Sequence, residues 1–429
     1  MRILLVNHYS QPVGGAEHMV TVLQRQLELA GHDVRLLAGR VGRGAPAGPD
    51  WFPSCRPESR WRYVYLMANP IAAWRLWRIV RTWRPQIVHL HNTALASPLV
   101  YAALRGQTVV MTAHDHTVFD PASLPRLPTL TPHAEAMAGY FNRRPNLRRL
   151  AEAARFWLLR AGYRRVSAVV ACSRFYGEAL QESRLFRHVE VLPNGLELGP
   201  VPAELAAAAP PNLLFAGRID APKGLQILLA AWPLVLINHP ETRLRVAGTG
   251  PHLAVCRVLA AELGIEHRVI FTGQLSGPAL AAAYEAASAV VVPSVYPDNL
   301  PTVAIEAMAA SRPVIASNIG GLAELVQPGQ TGYLVPPADP VALAASITRV
   351  LAQPATARAM GRAGRQWAEA KFSASAYAVA TLALYQRLLS ATATNKPPRR
   401  PLIRLIGRTT EPKRCPLSRE VSPTQPPTR

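Results

Sequence analysis

Short apolar runs, most of them rich in valine, isoleucine and leucine, alternate along the chain with stretches of helical periodicity. In the first half these runs predict strands at 3–7, 33–38, 87–91, 108–112, 168–171 and 189–192. A helical pattern at 16–30 separates the first two strands, and Gly31 follows it as a C-terminal cap. Continuous apolar strands that alternate with helices predict a parallel sheet covered on both faces.

The alternation is interrupted after Pro193-Asn194-Gly195 and then begins again. A second set of strands is predicted at 212–216, 243–247, 269–272, 289–292, 314–317 and 332–335. Residues 340–390 have a helical pattern throughout. The remaining residues are dominated by proline and arginine without periodicity, which predicts disorder.

The sequence therefore predicts an α/β protein with two Rossmann-like, doubly wound domains that face a central cleft. We assign residues 1–197 to the first domain, 198–211 to a linker rich in proline and alanine, and 212–372 to the second domain. Residues 373–390 form a C-terminal helix that can return to the first domain, and residues 391–429 form a basic tail. Ligands of doubly wound folds bind beyond the carboxyl ends of the strands, so residues just after strands are the candidates for function.

Charge and cysteine content narrow the classes of protein. The net charge is +21, of which the first 200 residues carry +12, residues 201–390 carry +2 and the tail carries +7. No apolar run reaches the length of a membrane span, and the N-terminus predicts a strand and not a secretory signal. Four scattered cysteines without a CxxC pair are typical of a reducing compartment, so we expect a cytoplasmic protein.

Two glycine-containing segments are candidates for phosphate binding. Gly14 and Gly15 open the first helix, whose N-terminus attracts anions, although an ordinary turn is the commoner explanation of a lone glycine pair. Arg218 and Lys223 straddle the turn after the first strand of the second domain and can clamp a diphosphate. The alternative is a solvated surface pair, but only four of the 47 basic residues are lysines, which makes Lys223 unusual.

Two carboxylates, Asp298 and Glu306, flank the start of a predicted helix. Pro301 suits the first turn of that helix, which places Asp298 in the loop before it and Glu306 about a turn and a half inside. Carboxylates at two depths of a cleft can bind two sets of sugar hydroxyls. A solvated helix face is the alternative for Glu306, although apolar neighbours surround it in the sequence.

Histidines follow two strands of the first domain. His114 lies at the end of a strand, where it can contact a sugar or an acceptor hydroxyl, and with Asp115 and His116 it is a weak candidate for a metal site. His89 and His91 alternate on a strand, so we expect them to point to opposite faces as hydrogen-bonded structural histidines. No two aspartates stand two positions apart, so the DxD metal motif of many sugar-nucleotide transferases is missing.

Arginine and tryptophan interleave between residues 72 and 84. One interpretation is a surface that docks on anionic lipid, with arginine among the headgroups and tryptophan at the interface. An amphipathic helix packed on the sheet explains the pattern equally well. No nucleic-acid-binding motif accompanies the charge, so nucleic acid is not an expected partner.

The motifs together resemble the retaining family 4 glycosyltransferases of GT-B fold, also known as glycosyl transferases group 1. The resemblance keeps the order of the family's motifs over residues 1 to about 390, and the set in 211–335 is its most specific part. The matching segments are Gly14-Gly15-Ala16-Glu17, Thr112-Ala113-His114-Asp115, Pro193-Asn194-Gly195, Gly217-Arg218 with Lys223-Gly224, residues 246–251, Phe271-Thr272-Gly273, residues 298–308, residues 312–317, Gly320-Gly321 and residues 329–335.

The resemblance implies roles for five catalytic candidates. Arg218 and Lys223 would hold the donor diphosphate, Glu306 the nucleotide ribose and Asp298 the transferred sugar, while His114 would lie near the reaction centre. Asp298 departs from the family's E-x7-E pattern, since its carboxylate is one methylene shorter. On the donor side, the Gly14-Gly15 loop would cover the phosphates and Thr272-Gly273 would meet the base. The remaining donor-side candidates are Asn194, Gly217, Gly248, Asn299, Leu300, Pro301 and Thr302.

The implied activity is retaining, metal-independent transfer of a sugar from a nucleotide-diphosphate sugar. The resemblance favours a UDP-sugar as co-substrate and implies no further cofactor. It also favours a lipid-linked or glycan acceptor, as in the synthesis of cell-envelope polysaccharides. From the arginine and tryptophan residues between 72 and 84 we further expect peripheral contact with an anionic membrane. Two alternatives stay open: a GT-B-like sugar-nucleotide epimerase, and a degenerate protein that binds nucleotide or membrane without catalysis.

Overall fold

Seven parallel strands form the sheet of the first domain in a computed structural model of the chain. The model describes residues 1–8, 15–40, 50–54, 67–91, 97–119, 126–133, 146–200 and 210–394. The strands are β1 (Arg2–Asn7), β2 (Asp33–Arg40), β3 (Trp51–Pro53), β4 (Ile87–His91), β5 (Val109–Ala113), β6 (Ala168–Ala171) and β7 (Val189–Val191). Their order across the sheet is β3-β2-β1-β4-β5-β6-β7.

Five helices connect these strands within the described residues. They are α1 (Gly15–Leu29), α2 (Pro70–Trp83), α3 (Leu99–Ala102), α4 (Asn146–Tyr163) and α5 (Arg174–Ser183). Local sequence explains where two of them begin. Asn69 accepts a hydrogen bond from the backbone N–H of Ala72 at the start of α2, and Ser173 does the same for Tyr176 in α5.

The second domain contains a six-stranded parallel sheet. Its strands are β8 (Asn212–Ala216), β9 (Arg243–Ala247), β10 (Val269–Gly273), β11 (Ala289–Val292), β12 (Val314–Ser317) and β13 (Gly332–Val335), in the order β10-β9-β8-β11-β12-β13. The helices of this half are α6 (Leu225–Asn238), α7 (Leu253–Glu262), α8 (Gly277–Glu285), α9 (Thr302–Ala309), α10 (Leu322–Leu325), α11 (Pro340–Ala352), α12 (Pro354–Phe372) and α13 (Ala374–Thr394). The predicted doubly wound architecture is thus confirmed.

One strand is missing from the sequence prediction. β3 spans three residues and pairs only with β2, from Ala38 opposite Trp51 to Arg40 opposite Pro53. A strand this short shows no periodicity, and proline is tolerated there because β3 is an edge strand. The other strand limits shift from the predicted ones by two residues or fewer.

Both faces of the first sheet are buried, as its apolar strands require. Leu4 and Val6 of β1 pack with α2 in one apolar cluster. Ile3 and Leu5 point to the opposite face and pack with α1 and with α13. The last helix of the described residues therefore covers the sheet of the first domain.

Two side-chain contacts fix α13 on the first domain. The Tyr385 hydroxyl lies 2.6 Å from His89 Nδ1, with both side chains fully buried, and Arg387 pairs with Glu190 at the surface. The helix runs to Thr394, four residues into the segment that we assigned to the tail. Residues 395–429, like the Gly14 candidate and most of the linker, lie outside the described residues.

We expect Tyr385→Phe to lower the free energy of unfolding by about 1–3 kcal/mol. The substitution keeps the ring in place but removes the partner of a buried histidine nitrogen, and a buried polar atom left without a partner costs this amount. A urea titration of the full chain measures the change.

Arg387→Ala on the same helix is the matched control. Its ion pair with Glu190, 3.1 Å long, is exposed and is expected to contribute less than about 1 kcal/mol. Equal losses in the two variants would contradict the role of the buried hydrogen bond.

Candidate active site

The loop of residues 293–301, hereafter the 293–301 loop, leads from β11 to α9 at the carboxyl end of the second sheet. Its backbone passes very close to glycines on both sides. A Cβ atom on Gly224 would lie 1.8 Å from the carbonyl oxygen of Pro293, and one on Gly321 would lie 1.9 Å from that of Asn299. Gly224 also has a φ of +74°, which favours glycine. Glycine at these positions lets the loop take this path.

Lys223 and Asp298 meet at this loop. Lys223 ends a short 3-10 turn after β8, and its Nζ atom lies 2.8 Å from each carboxylate oxygen of Asp298. The Ser294 hydroxyl donates to Asp298 Oδ2 at 3.2 Å. The side chains of Lys223 and Asp298 are 34% and 19% exposed. The pair therefore holds an ammonium group at the surface of the cleft while limiting its freedom.

Arg218 does not join this pair in the structure. Its side chain is 70% exposed, and its Nε atom lies 3.4 Å from Asp220 Oδ2. The structure thus brings together two of the four charged candidates in this domain and leaves the guanidinium of Arg218 extended into solvent.

A row of glycines marks the carboxyl ends of three adjacent strands. The backbone N–H of Gly217 donates to Ala247 O, and that of Gly248 donates to Gly273 O, at 2.9 and 2.8 Å. A Cβ atom on Gly248 would lie 1.8 Å from Gly217 O, so only glycine fits there. Thr272 donates its hydroxyl to Val246 O. At this edge of the sheet the backbone carries no side chains at Gly217, Gly248 and Gly273, so a planar ring can approach it closely.

Glu306 lies on α9, behind the 293–301 loop. It is half-buried, and its Oε2 atom accepts a hydrogen bond of 2.7 Å from the Tyr284 hydroxyl. Burial, and then the charge of Glu306, raise the pKa of Tyr284 well above its usual value. Tyr284 was not found from the sequence, because its only signal there is an apolar position in a helix. The solvated-face alternative for Glu306 does not fit this contact.

The N-terminus of α9 faces the same loop. Pro301 is the residue before the helix, Thr302 is its first residue, and no side chain caps its first N–H groups. Buried Leu300 anchors the loop beside them. Because the dipole of a helix favours negative charge at its N-terminus, α9 adds positive potential beside the Lys223–Asp298 pair.

Two hydrogen bonds and a ring contact between His116 and Tyr296 join the 293–301 loop to the first domain. The Asn299 side-chain amide donates to the backbone oxygen of His114 at 2.9 Å, and His116 Nε2 lies 3.1 Å from Pro297 O. Burial lowers the pKa of His114 to about 4 and also lowers the pKa of His116. Both rings are therefore neutral near pH 7. The sequence pattern did not indicate these contacts between domains.

His89 and His91 lie on the same face of the first sheet, so the expectation of opposite faces was wrong. Side chains two positions apart on a strand share a face, and the two ring centroids are 4.1 Å apart. His89 is held by Tyr385 and by the Thr112 hydroxyl, the latter 2.7 Å away. His91 Nδ1 lies 3.1 Å from His114 Nε2. Burial lowers the pKa of His89 to about 3 and that of His91 well below its usual value.

Two further candidates, Asn194 and Gly15, lie outside the second sheet. Asn194 is buried where the chain passes between the domains, next to the contact of Gly195 with Tyr377. Gly15 is the first residue of α1. In the part of the chain that the structure describes, no group of three histidine, cysteine or acidic side chains is placed to hold a metal ion.

Glu324 is a further contact between domains that the sequence analysis missed. Its carboxylate on α10 accepts hydrogen bonds from the backbone N–H groups of Arg174 and Phe175, at 2.9 and 2.6 Å. A carboxylate here caps the N-terminus of α5, where negative charge is favourable. Together with Asn299 and His116, it fixes how the two sheets face each other.

Two family models match the two halves of the chain. Residues 13–199 match Glycosyltransferase Family 4, and residues 202–367 match Glycosyl transferases group 1. A curated glycogen synthase of Mycobacterium tuberculosis is 30% identical over 425 residues, covering 90% of this chain and 94% of the relative.

Solved structures share the arrangement of both domains. Sucrose-phosphate synthase of Thermosynechococcus elongatus is 28% identical, with a TM-score of 0.70 over 91% of this chain and 99% of that one. HepE of Anabaena, solved in complex with UDP, has the same fold at 19% identity, with a TM-score of 0.66 over 90% of this chain and all of that one. With both domains matched in order and the glycogen synthase aligned over nearly its whole length, the chain belongs to the family 4 glycosyltransferases of GT-B fold.

Proposed function

We propose that this glycosyltransferase moves a sugar, with retention of configuration, from a UDP-sugar to a lipid-linked or glycan acceptor. The observation that carries the proposal is the Lys223–Asp298 pair, which sets a diphosphate-binding cation against a sugar-binding carboxylate at the carboxyl edge of the sheet. The UDP bound to HepE, a structure of the same fold, supports uridine as the base.

Each charged residue takes one part of the donor. Lys223 and the N-terminus of α9 receive the diphosphate, and Arg218 folds in from solvent to complete the clamp. Asp298 then exchanges its contact with Lys223 for hydroxyls of the sugar. Glu306 binds the ribose, and the glycine edge at Gly217 and Gly248 accommodates the nucleoside.

The chemistry needs positive charge more than a nucleophile. As the bond from the anomeric carbon to the diphosphate oxygen breaks, negative charge grows on the leaving phosphate. Lys223, Arg218 and the α9 dipole stabilise that charge, which is the function of a metal ion in other transferases. The acceptor hydroxyl attacks from the face that the diphosphate leaves and gives its proton to a phosphate oxygen. Configuration is thereby retained.

We expect Lys223→Ala to lower turnover about 10²–10³-fold, as losing one preorganised charge contact at a reaction centre does. Thermal unfolding with UDP in EDTA gives a second measurement. UDP at about 100 times its dissociation constant adds roughly 2.7 kcal/mol to wild-type stability, and the variant should lose that stabilisation.

Lys371→Ala is the matched control, because Lys371 is an exposed lysine on α12 of the same domain. It should leave turnover and UDP binding unchanged. Unaltered turnover in Lys223→Ala would overturn the site assignment, and an EDTA-sensitive wild type would contradict metal independence. Donor conversion without any acceptor would favour the epimerase alternative.

We expect Glu306→Gln to remove the preference for ribose over deoxyribose. Wild-type protein should bind UDP about tenfold to a hundredfold more tightly than 2′-deoxy-UDP, since a hydrogen bond to a charged group contributes about 1.5–3 kcal/mol. Calorimetric titration of both nucleotides into both proteins measures the ratio.

Tyr284→Phe is the control for Glu306→Gln. It removes the hydroxyl that donates to Glu306 but keeps the carboxylate. The preference for UDP should survive in this variant. A wild-type protein that binds both nucleotides equally would show that Glu306 does not contact the 2′-hydroxyl.

A basic and aromatic surface of the first domain supports a membrane-bound acceptor. Residues 59–114 contain no acidic residue. On α2, Trp74 and Trp77 are 52% and 47% exposed, and the guanidinium groups of Arg78 and Arg81 lie over their rings. Leu76 and its neighbours on the other side of α2 are buried in the core. The amphipathic helix packed on the sheet is therefore present, and its exposed basic and aromatic side supports the proposal of contact with anionic lipid.

The surface continues beyond α2. A cavity of about 610 Å³ between α2 and α3 is lined in part by Arg81, Arg84 and Arg105. No helix in the described ranges is both long and apolar enough to cross a bilayer. We propose that this surface rests on the headgroups of an anionic membrane.

The double variant Arg78→Glu with Arg81→Glu should bind anionic vesicles at least about tenfold more weakly. Each arginine near such a surface contributes about 1 kcal/mol. Co-sedimentation with phosphatidylcholine vesicles that contain phosphatidylglycerol measures binding, and pure phosphatidylcholine vesicles give the background.

Arg358→Glu with Arg362→Glu on α12 is the matched charge reversal on the second domain. It should keep most of the binding. Equal loss in the two double variants would mean that net charge, and not this surface, attracts the protein. No binding by wild type would refute the membrane contact.

A further inference from the structure

His91 lies directly behind His114 and contacts it through a single pair of ring nitrogens. His91 Nδ1 and His114 Nε2 are 3.1 Å apart, and the two rings stack with centroids 5.4 Å apart. His91 is completely buried on β4, whereas His114 follows β5 and is half-buried at the cleft. Among the described residues, His114 is the site residue that the side chain of His91 contacts.

The hydrogen bond between two neutral rings requires one proton between the two nitrogens. Each neutral imidazole has one N–H donor and one bare acceptor nitrogen. Two arrangements are possible: either His91 donates from Nδ1 to His114 Nε2, or His114 donates from Nε2 to His91 Nδ1. They differ in which atom of His91 carries the remaining proton.

The second nitrogen of His91 decides between them. His91 Nε2 is buried and has no hydrogen-bond partner among the described residues. If His114 were the donor, His91 would carry its proton on Nε2 as a buried N–H without an acceptor. Orphaned buried N–H groups are rarer than under-satisfied acceptors. The arrangement in which His91 donates from Nδ1 leaves only a bare lone pair at Nε2 and is favoured.

We propose that His91 is a positioning residue that holds His114 in the tautomer protonated at Nδ1. The nitrogen of His114 that remains for a ligand is then an N–H donor. Burial keeps both rings neutral near pH 7, with the pKa of His114 lowered to about 4. His114 consequently donates a hydrogen bond to an oxygen of the substrate and does not act as the base for the acceptor hydroxyl.

The effect of His91 on turnover rests on the proposed function, whereas the tautomer of His114 does not. In that reaction the acceptor proton goes to the leaving phosphate, which agrees with a His114 that cannot accept a proton at Nδ1. The tautomer itself is a property of the free protein, so its measurement does not depend on knowing the donor or the acceptor.

Nitrogen NMR of the full chain labelled with ¹⁵N-histidine tests the tautomer directly. Long-range couplings from the ring carbon protons distinguish a protonated from a bare nitrogen, and the spectrum of His114→Ala assigns the His114 signals. At pH 7 we expect His114 to be protonated at Nδ1 and bare at Nε2. The reverse pattern in wild-type protein would overturn the proposal without any variant.

Three variants distinguish a positioning role of His91 toward His114 from a role in core packing alone. His91→Leu removes the donor, and the tautomer of His114 should shift toward Nε2–H. His91→Asn places an amide N–H close to the former Nδ1 position and should restore Nδ1–H. His89→Leu changes an equally buried histidine of the same strand that does not bond to His114, so the tautomer should stay as in wild type. An unchanged tautomer in a folded His91→Leu protein would refute the role of His91.

Turnover provides the second readout. In His91→Leu, kcat should fall about two- to tenfold, the effect of one neutral hydrogen bond, while UDP binding is unchanged. His91→Asn should recover most of the loss. If the tautomer shifts as expected but wild-type protein transfers no sugar, the proposed function fails and the positioning role stands.

Discussion

The site depends on how closely the backbone of the 293–301 loop can approach its neighbours. Gly224 on one side and Gly320 and Gly321 on the other leave no room for side chains, and each faces a carbonyl oxygen or backbone atom of that loop. This close packing determines where Asp298 and Asn299 point. A single Cβ at these glycines would displace the backbone that carries the carboxylate and the link to the first domain.

Electrostatics divide the cleft into two unlike halves. The second domain supplies the N-terminus of α9 and the ammonium group of Lys223, which is paired with Asp298. The first domain supplies His91, His114 and His116, which burial keeps neutral. The charged pair and the helix dipole therefore lie on one side of the cleft, while the other side offers neutral rings for hydrogen bonding. Although the first domain carries most of the basic residues of the folded body, Arg78 and Arg81 on α2 are exposed to solvent.

The architecture could be predicted from the sequence because buried parallel strands are continuous apolar runs. The positions of motifs just after strands also indicated Lys223, Asp298 and Glu306 as candidate site residues. What the sequence did not show arises from contacts distant in the chain: Tyr284 with Glu306, and His116 with Pro297. The faces of His89 and His91 were predictable from strand geometry alone and were assigned incorrectly.

The chain passes between the domains twice, and the two crossings are bonded to each other. The backbone of Leu196 donates to Phe372 and accepts from Ala374, at 2.7 and 2.8 Å. Arg365 of α12 also binds Gly199 at 2.8 Å, which clamps the start of the first crossing. Two tethers joined at one point act as a single pivot. Any rotation of the domains about this point would change the distance between Lys223 and His114, and it would have to break the contacts that Asn299 and Glu324 make with the first domain.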